Sequence, residues 1–177
     1  MSAEARTLAL IGLRGAGKTT VGRALAERLE VPFADLDEHL AEAHGLPGEA
    51  VGELFARVGE PRFRELESVA LVEVLEAAQP LVLATGGGVI EVAANRRLLA
   101  DRCRCVWLDA DPDLLAARVA ADGALRPSLT ELDPRTEMRE MATRRSHHYE
   151  ELAELRVDCG PLETKTVCEV IFDELRL

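Results

Sequence analysis

The residues best equipped for chemistry lie near the N-terminus. Gly12-Leu-Arg-Gly-Ala-Gly-Lys18-Thr19 has the spacing G-x-x-x-x-G-K-[ST]. Glycines let a backbone wrap so that successive N–H groups converge on phosphate oxygens, and the positive end of a following helix adds to them. Gly15, Ala16, Gly17, Lys18, Thr19 and Thr20 are therefore the candidate triphosphate-binding residues. Lys18 supplies a point charge for the outer phosphates and Thr19 a hydroxyl for Mg²⁺. Such a metal also needs a carboxylate, and two aspartates compete. Asp109 follows Cys105-Val-Trp-Leu but stands just before Asp111-Pro112, a helix start, so capping is its more economical role. Asp35 belongs to Asp35-Leu-Asp37. In an extended segment residues i and i+2 point the same way, which offers Asp35 to the metal and Asp37 to an acceptor.

The elements that must position these groups follow from periodicity. Thr7 to Ile11 reads as a buried strand, followed by a tight loop and a helix carrying Val21, Leu25 and Leu29. A short strand covers Val31 to Asp35, where Pro32 confines it to an early or peripheral start. Helical patterns follow at about 36–44, 50–58 and 60–78. Leu81 to Ala84 is a strand stopped by Thr85-Gly86-Gly87-Gly88, and a helix at 91–100 leads to the strand Cys103 to Leu108. Asp111-Pro112 starts a helix reaching Ala121. Residues 122–134 are too polar and broken for a regular element, and a helix at 135–153, a strand Leu155 to Asp158 and a helix at 163–176 end the chain. Apolar strands alternating with helices predict an α/β fold whose parallel sheet is covered on both faces.

At 177 residues, 47% hydrophobic and 30% charged, the chain reads as one ordered domain. Aromatics are only 3%, which puts the core on Leu, Val and Ala. A net charge of -11 argues against unaided binding to nucleic acid or anionic membranes, while allowing a local basic pocket for a small anion. No run approaches the roughly 18 to 20 apolar residues that cross a bilayer. The opening Met-Ser-Ala-Glu-Ala-Arg carries an acid and leads straight into a strand, so it is not read as a secretory signal. Cys103, Cys105, Cys159 and Cys168 form no CxxC or zinc pattern, and the first two share one strand face. A reduced, cytoplasmic protein without a structural metal is expected.

Taken in order, Gly12–Thr20, Asp35-Leu-Asp37, Gly59-Glu-Pro-Arg-Phe63-Arg64-Glu-Leu-Glu67, Gly86-Gly87-Gly88, Leu125-Arg126-Pro127 and Arg145…Tyr149 resemble the motifs of the shikimate kinase family. The resemblance spans nearly the whole chain, and the pieces after the first surround an acceptor rather than a nucleotide. It implies a three-layer α/β/α P-loop kinase with a central parallel five-stranded sheet. The nucleotide-binding core would be about 1–35, 80–121 and 155–177, the helical acceptor-binding subdomain about 36–79 and the lid loop about 122–134. By this resemblance Arg64 and Arg145 clamp the acceptor's carboxylate, a task suited to guanidinium forks. Asp37 orients the reacting hydroxyl or takes its proton, and Gly86, Gly87 and Gly88 offer backbone contact. Arg126, on the lid, neutralises charge on the transferring phosphoryl group, Asp35 holds Mg²⁺ through water, and Arg118 lies against the adenine. The implied activity is ATP-dependent phosphorylation of shikimate at its 3-hydroxyl, by a cytoplasmic monomer.

Plainer readings stand beside these. Arg64 has Glu60 and Glu67 at ion-pair spacing on a helix. Residue type does not separate Arg145 from Arg144, and the glycine run could be an ordinary turn. His147 and His148 are adjacent, so on a helix they diverge by about 100° and suit packing or solvent rather than a joint role. Trp107 reads as core. Gluconate or a nucleoside monophosphate is the competing acceptor. A metabolite-sensing module without turnover is the competing class, but it predicts loss of Lys18 or Asp37, both of which are present. The chain departs from the family in a few extra residues between Gly45 and Phe55, in His147 where a proline is usual, and in Arg14 where an apolar or small residue is common.

Overall fold

The computed structural model describes residues 6–77, 80–121 and 133–177. Segment 122–132, with Arg126 and most of the expected lid, lies outside the described residues. Among the described residues five strands form one parallel sheet in the order β2-β3-β1-β4-β5. They are β1 (Thr7–Ile11), β2 (Phe33–Asp35), β3 (Val82–Ala84), β4 (Cys103–Asp109) and β5 (Leu155–Asp158). Every residue of β1 is buried, as a central strand covered on both faces requires. Pro32, which lacks an N–H, precedes the edge strand β2 and uses its carbonyl to accept from the Val82 amide at 2.9 Å.

Helices α1 (Lys18–Leu29) and α8 (Thr164–Leu175) pack together, while α5 (Ala93–Arg102) and α7 (Pro134–Leu152) pack on β4. Helices α2 (Leu36–His44), α3 (Val51–Val58) and α4 (Glu60–Ala77) pack chiefly on one another. The helix α6 (Pro112–Ala121) lies against α7. Strand order reverses at β1, so the crevice beyond the carboxyl ends of β1 and β3 is the switch point where open α/β sheets take ligands. Leu10 pairs with Ala84, and the glycine loop after β1 and the Thr85–Gly88 turn after β3 therefore leave the sheet side by side.

Three expectations need correction. Asp37 is not in an extended segment: β2 ends at Asp35 and α2 begins at Leu36, so strand alternation is not what aligns the two carboxylates. Asp35 instead caps α2, its Oδ1 accepting from the amides of Asp37 at 3.0 Å and Glu38 at 3.3 Å. Asp109 does not cap α6; Asp111 does so alone, accepting from the Asp113 amide at 2.8 Å, while Asp109 pairs with Arg156 at 2.7 Å. The helix expected at 91–100 runs two residues later, as α5, and a 3₁₀ turn (Val89–Glu91) precedes it. Side chains of Asn95 and Arg96 bond back to the carbonyls of Val89, at 3.1 Å, and Ile90, at 2.6 Å, and hold that turn apart from the helix.

Candidate active site

The loop between β1 and α1 borders a cleft of about 510 Å³ lined by Gly15, Gly17, Lys18, Thr19, Thr20, Asp35 and Arg118, among others. Gly17, at φ 90°, is the N-cap of α1, a left-handed conformation that only glycine adopts without strain, and it turns the amides that follow toward the cleft. Ala16 is buried beneath the loop. Lys18 is buried, and its Nζ donates to the carbonyls of Gly12 and Leu13, both at 2.8 Å. Thr19 Oγ1 donates to Asp35 Oδ2 at 2.6 Å, so capping leaves the second carboxylate oxygen beside a hydroxyl on the cleft wall. That pair of hard oxygen donors fits Mg²⁺, which takes one or two protein oxygens and completes its shell with phosphates and water. Arg118, on α6, donates to the carbonyls of Cys159 at 3.2 Å and Gly160 at 3.1 Å, fixing it at the outer wall.

A second, smaller cavity is lined by Asp37, Arg64, Arg145, Gly86, Gly87 and Gly88, with Val51, Phe55 and Phe63 as its apolar side. Asp37 and Arg14 line both cavities and mark where they join. The glycine turn packs against charged side chains. A Cβ on Gly86 would stand 2.7 Å from Glu67 Oε1 and 2.8 Å from Asp37 Oδ1, and one on Gly88 would stand 2.6 Å from the Arg64 Cζ. Tyr149 fixes the turn from behind, its hydroxyl donating to the Gly87 carbonyl at 2.6 Å while its ring stacks on Trp107.

Helix α7 settles which arginine faces the cavity. Met138, Met141, Arg145 and Tyr149 form one buried stripe at helical spacing, and the Arg145 side chain is 4% exposed against 60% for Arg144. Arg64 is held by Glu67 at 2.8 Å, Glu91 at 3.2 Å and Glu60 at 3.4 Å. It thus satisfies both the ion-pair reading and the cavity reading. Burial pushes the Glu67 carboxyl up to about 7, against the pull of Arg64 and with the help of neighbouring Asp37. Partial burial works the same way on Glu91, but Arg145, Arg144 and Arg64 together hold it below the usual carboxylate range.

Spacing alone assigns no site role to Glu67, Glu91, Arg14 or Glu137. Glu67 stands inside one of the family-like motifs, where its spacing from Arg64 indicates only a helix ion pair. Glu137 lies at helical spacing from Met141 on α7 but, being charged, carries no core signal; it is buried and pairs with Arg14 at 3.1 Å. Glu91 gives no signal, since nothing local to residue 91 reveals three arginines from two other helices. The His147 and His148 rings approach to 3.8 Å between centroids at an interplanar angle of 45°, and neither lines the two cavities. The residues at 45–50 form a turn braced by Glu49, whose carboxyl Arg57 holds down at about 2, and none of them lines the second cavity.

The family model described as shikimate kinase matches residues 14–176. A shikimate kinase of Caulobacter vibrioides is 39% identical over 173 residues, covering 98% of this chain and 84% of its own. One from Rhodopirellula baltica is 41% identical over 154 residues, covering 85% and 80%. Among solved structures, the shikimate kinase of Acinetobacter baumannii in complex with shikimate superposes with a TM-score of 0.88 at 33% identity, covering 97% of this chain and 93% of that one.

Proposed function

The chain belongs to the shikimate kinase family, and we propose that it transfers the γ-phosphoryl group of ATP to the 3-hydroxyl of shikimate, giving shikimate 3-phosphate and ADP. The observation that carries this reading is Asp37, which borders both cavities, with Lys18 on the nucleotide side and Arg64 and Arg145 on the other. An acceptor with one carboxylate and several hydroxyls suits two guanidinium forks opposite a carboxylate that accepts hydrogen bonds.

In this mechanism Arg64 and Arg145 anchor the acceptor's carboxylate. Asp37 accepts from the 3-hydroxyl and takes its proton as the oxygen bonds to the γ-phosphorus, and the bond to the β-phosphate oxygen breaks to release ADP. Lys18 leaves its loop carbonyls for the outer phosphates and stabilises charge on the transferring group. Thr19 and Asp35 would hold Mg²⁺, which neutralises phosphate charge when bound. Arg118 would flank the adenine, and Arg126, outside the described residues, keeps its role over ATP by family resemblance. Catalysis is then mostly positioning and electrostatics. We also assign the chain a monomeric, cytoplasmic life. No helix of the described residues is long and apolar enough to cross a membrane, and its four buried cysteines are all free thiols, which suits a reducing compartment.

The test is calorimetric titration of shikimate into the wild type and Arg64→Ala, beside an ADP-release assay offering shikimate and gluconate at equal concentration. Loss of one guanidinium should weaken shikimate binding by roughly 30-fold or more, and ADP release should respond to shikimate. Equal affinities would remove Arg64 from the clamp. Comparable turnover of gluconate would overturn the acceptor.

A further inference from the structure

We propose that Glu91 sets the affinity for the acceptor, as an internal counter-carboxylate that competes with the acceptor's own carboxylate for the donors of Arg64 and Arg145. The inference rests on the reading that these two arginines bind that carboxylate. Glu91 ends the 3₁₀ turn after the glycine run, and Arg96 donates to its carbonyl at 3.2 Å, which fixes the backbone that carries it. Its Oε2 accepts from Arg145 Nη2 at 2.8 Å and from Arg64 Nη2 at 3.2 Å, and its Oε1 faces Arg144 Nε at 2.7 Å. One carboxylate thus bridges the two guanidiniums of the clamp.

Among the described residues Glu91 is the one carboxylate at ion-pair distance from Arg145. Its Nη1 also lies 3.6 Å from the Met141 sulfur, and among the described residues its buried Nε has no hydrogen-bond partner. Arg145 therefore has a donor to give, and Glu91 is its ion-paired counter-charge. Glu91 is not part of the acceptor-side cavity wall, whereas both arginines are. It stands beside the guanidiniums without filling the space an acceptor needs, and its influence is on charge and donors, not on room. A fixed negative charge a few ångströms from a bound carboxylate opposes binding strongly in a partly dehydrated site. A clamp carrying its own counter-ion holds substrate and product less tightly than two bare guanidiniums would, which favours release after transfer.

Glu91→Gln keeps an oxygen to accept from both Nη2 groups and removes the charge. Calorimetry should show shikimate binding tightened about tenfold, a difference of about 1.4 kcal/mol, with ATP binding within about twofold of wild type. An analogue whose carboxylate is reduced to a primary alcohol should bind wild type and variant alike. Glu91→Ser, which removes the charge by truncation, should shift shikimate affinity in the same direction and covers the case in which the glutamine variant folds poorly. Unchanged or weaker shikimate binding in a folded variant that still binds ATP overturns the inference, as does equal tightening for the neutral analogue. A wild type that binds no shikimate would overturn the reading of the site and this inference with it. Wild-type binding with an indifferent Glu91→Gln overturns the inference alone.

Discussion

Asp37 holds its position through the helix that begins one residue before it, and the two cavities meet at its carboxylate. Replacing that carboxylate by an amide changes neither size nor shape but removes the proton acceptor. Asp37→Asn should lower kcat by roughly 10²- to 10⁴-fold, with ATP affinity within about twofold of wild type by titration. Near-normal turnover would take Asp37 out of the mechanism. At this scale legibility varied with locality. Lys18 and Thr19 are readable because a phosphate loop is one continuous stretch of chain. Strand alternation does not align Asp35 and Asp37, since the second is helical; the start of α2 brings both to the same cleft. Arg145 could have been separated from Arg144 by spacing alone, because 138, 141, 145 and 149 follow one helical face and 144 does not.

Among the elements, the glycine turn after β3 lies directly against the charged side chains of the second cavity. Gly88 sits at φ −98°, open to any residue, so its constraint is purely one of space: a methyl group there meets the Arg64 guanidinium. Because the obstacle is the far end of a flexible side chain, Gly88→Ala should leave the unfolding midpoint nearly unchanged and displace Arg64 from the cavity. The expected outcome is shikimate affinity lowered by about 10- to 100-fold with ATP affinity intact, read by paired titrations. A large stability loss with unchanged shikimate affinity would show that the backbone yields instead. Helix and strand types were legible throughout, since burial on both faces makes parallel strands apolar without interruption. The split between the 3₁₀ turn and α5 was not, because it depends on side chains of α5 reaching back to carbonyls six residues earlier.

For the whole molecule, a net charge of -11 coexists with a basic cavity because Arg64 and Arg145 converge from two helices 81 residues apart along the chain (145 − 64). That convergence brings buried acids with it and leaves a mark on stability. Glu67 titrates near 4.5 when free and about 7 in the fold, so the native state binds the extra proton more tightly. Unfolding free energy should then fall as pH rises from 4.5 through 7 and level off above. Urea denaturation at pH 5, 6.5 and 8 should show a loss for wild type that Glu67→Gln reduces by at most about 3 kcal/mol. Identical pH profiles would mean that Glu67 is ionised across the range in the native state. Local spacing alone determines the phosphate loop, the alternating strands and helices and, through the ordered motifs, the family, because each of these is written in neighbouring residues. Only the tertiary structure decides that Asp37 is shared by two cavities, that Glu67 is pressed between Arg64 and Asp37, and that Glu91 bridges Arg64 and Arg145. Apart from the Arg64–Glu67 pair, which one helix spaces three residues apart, those contacts join residues tens of positions apart, and packing alone sets which of the many charged side chains are brought out of water together.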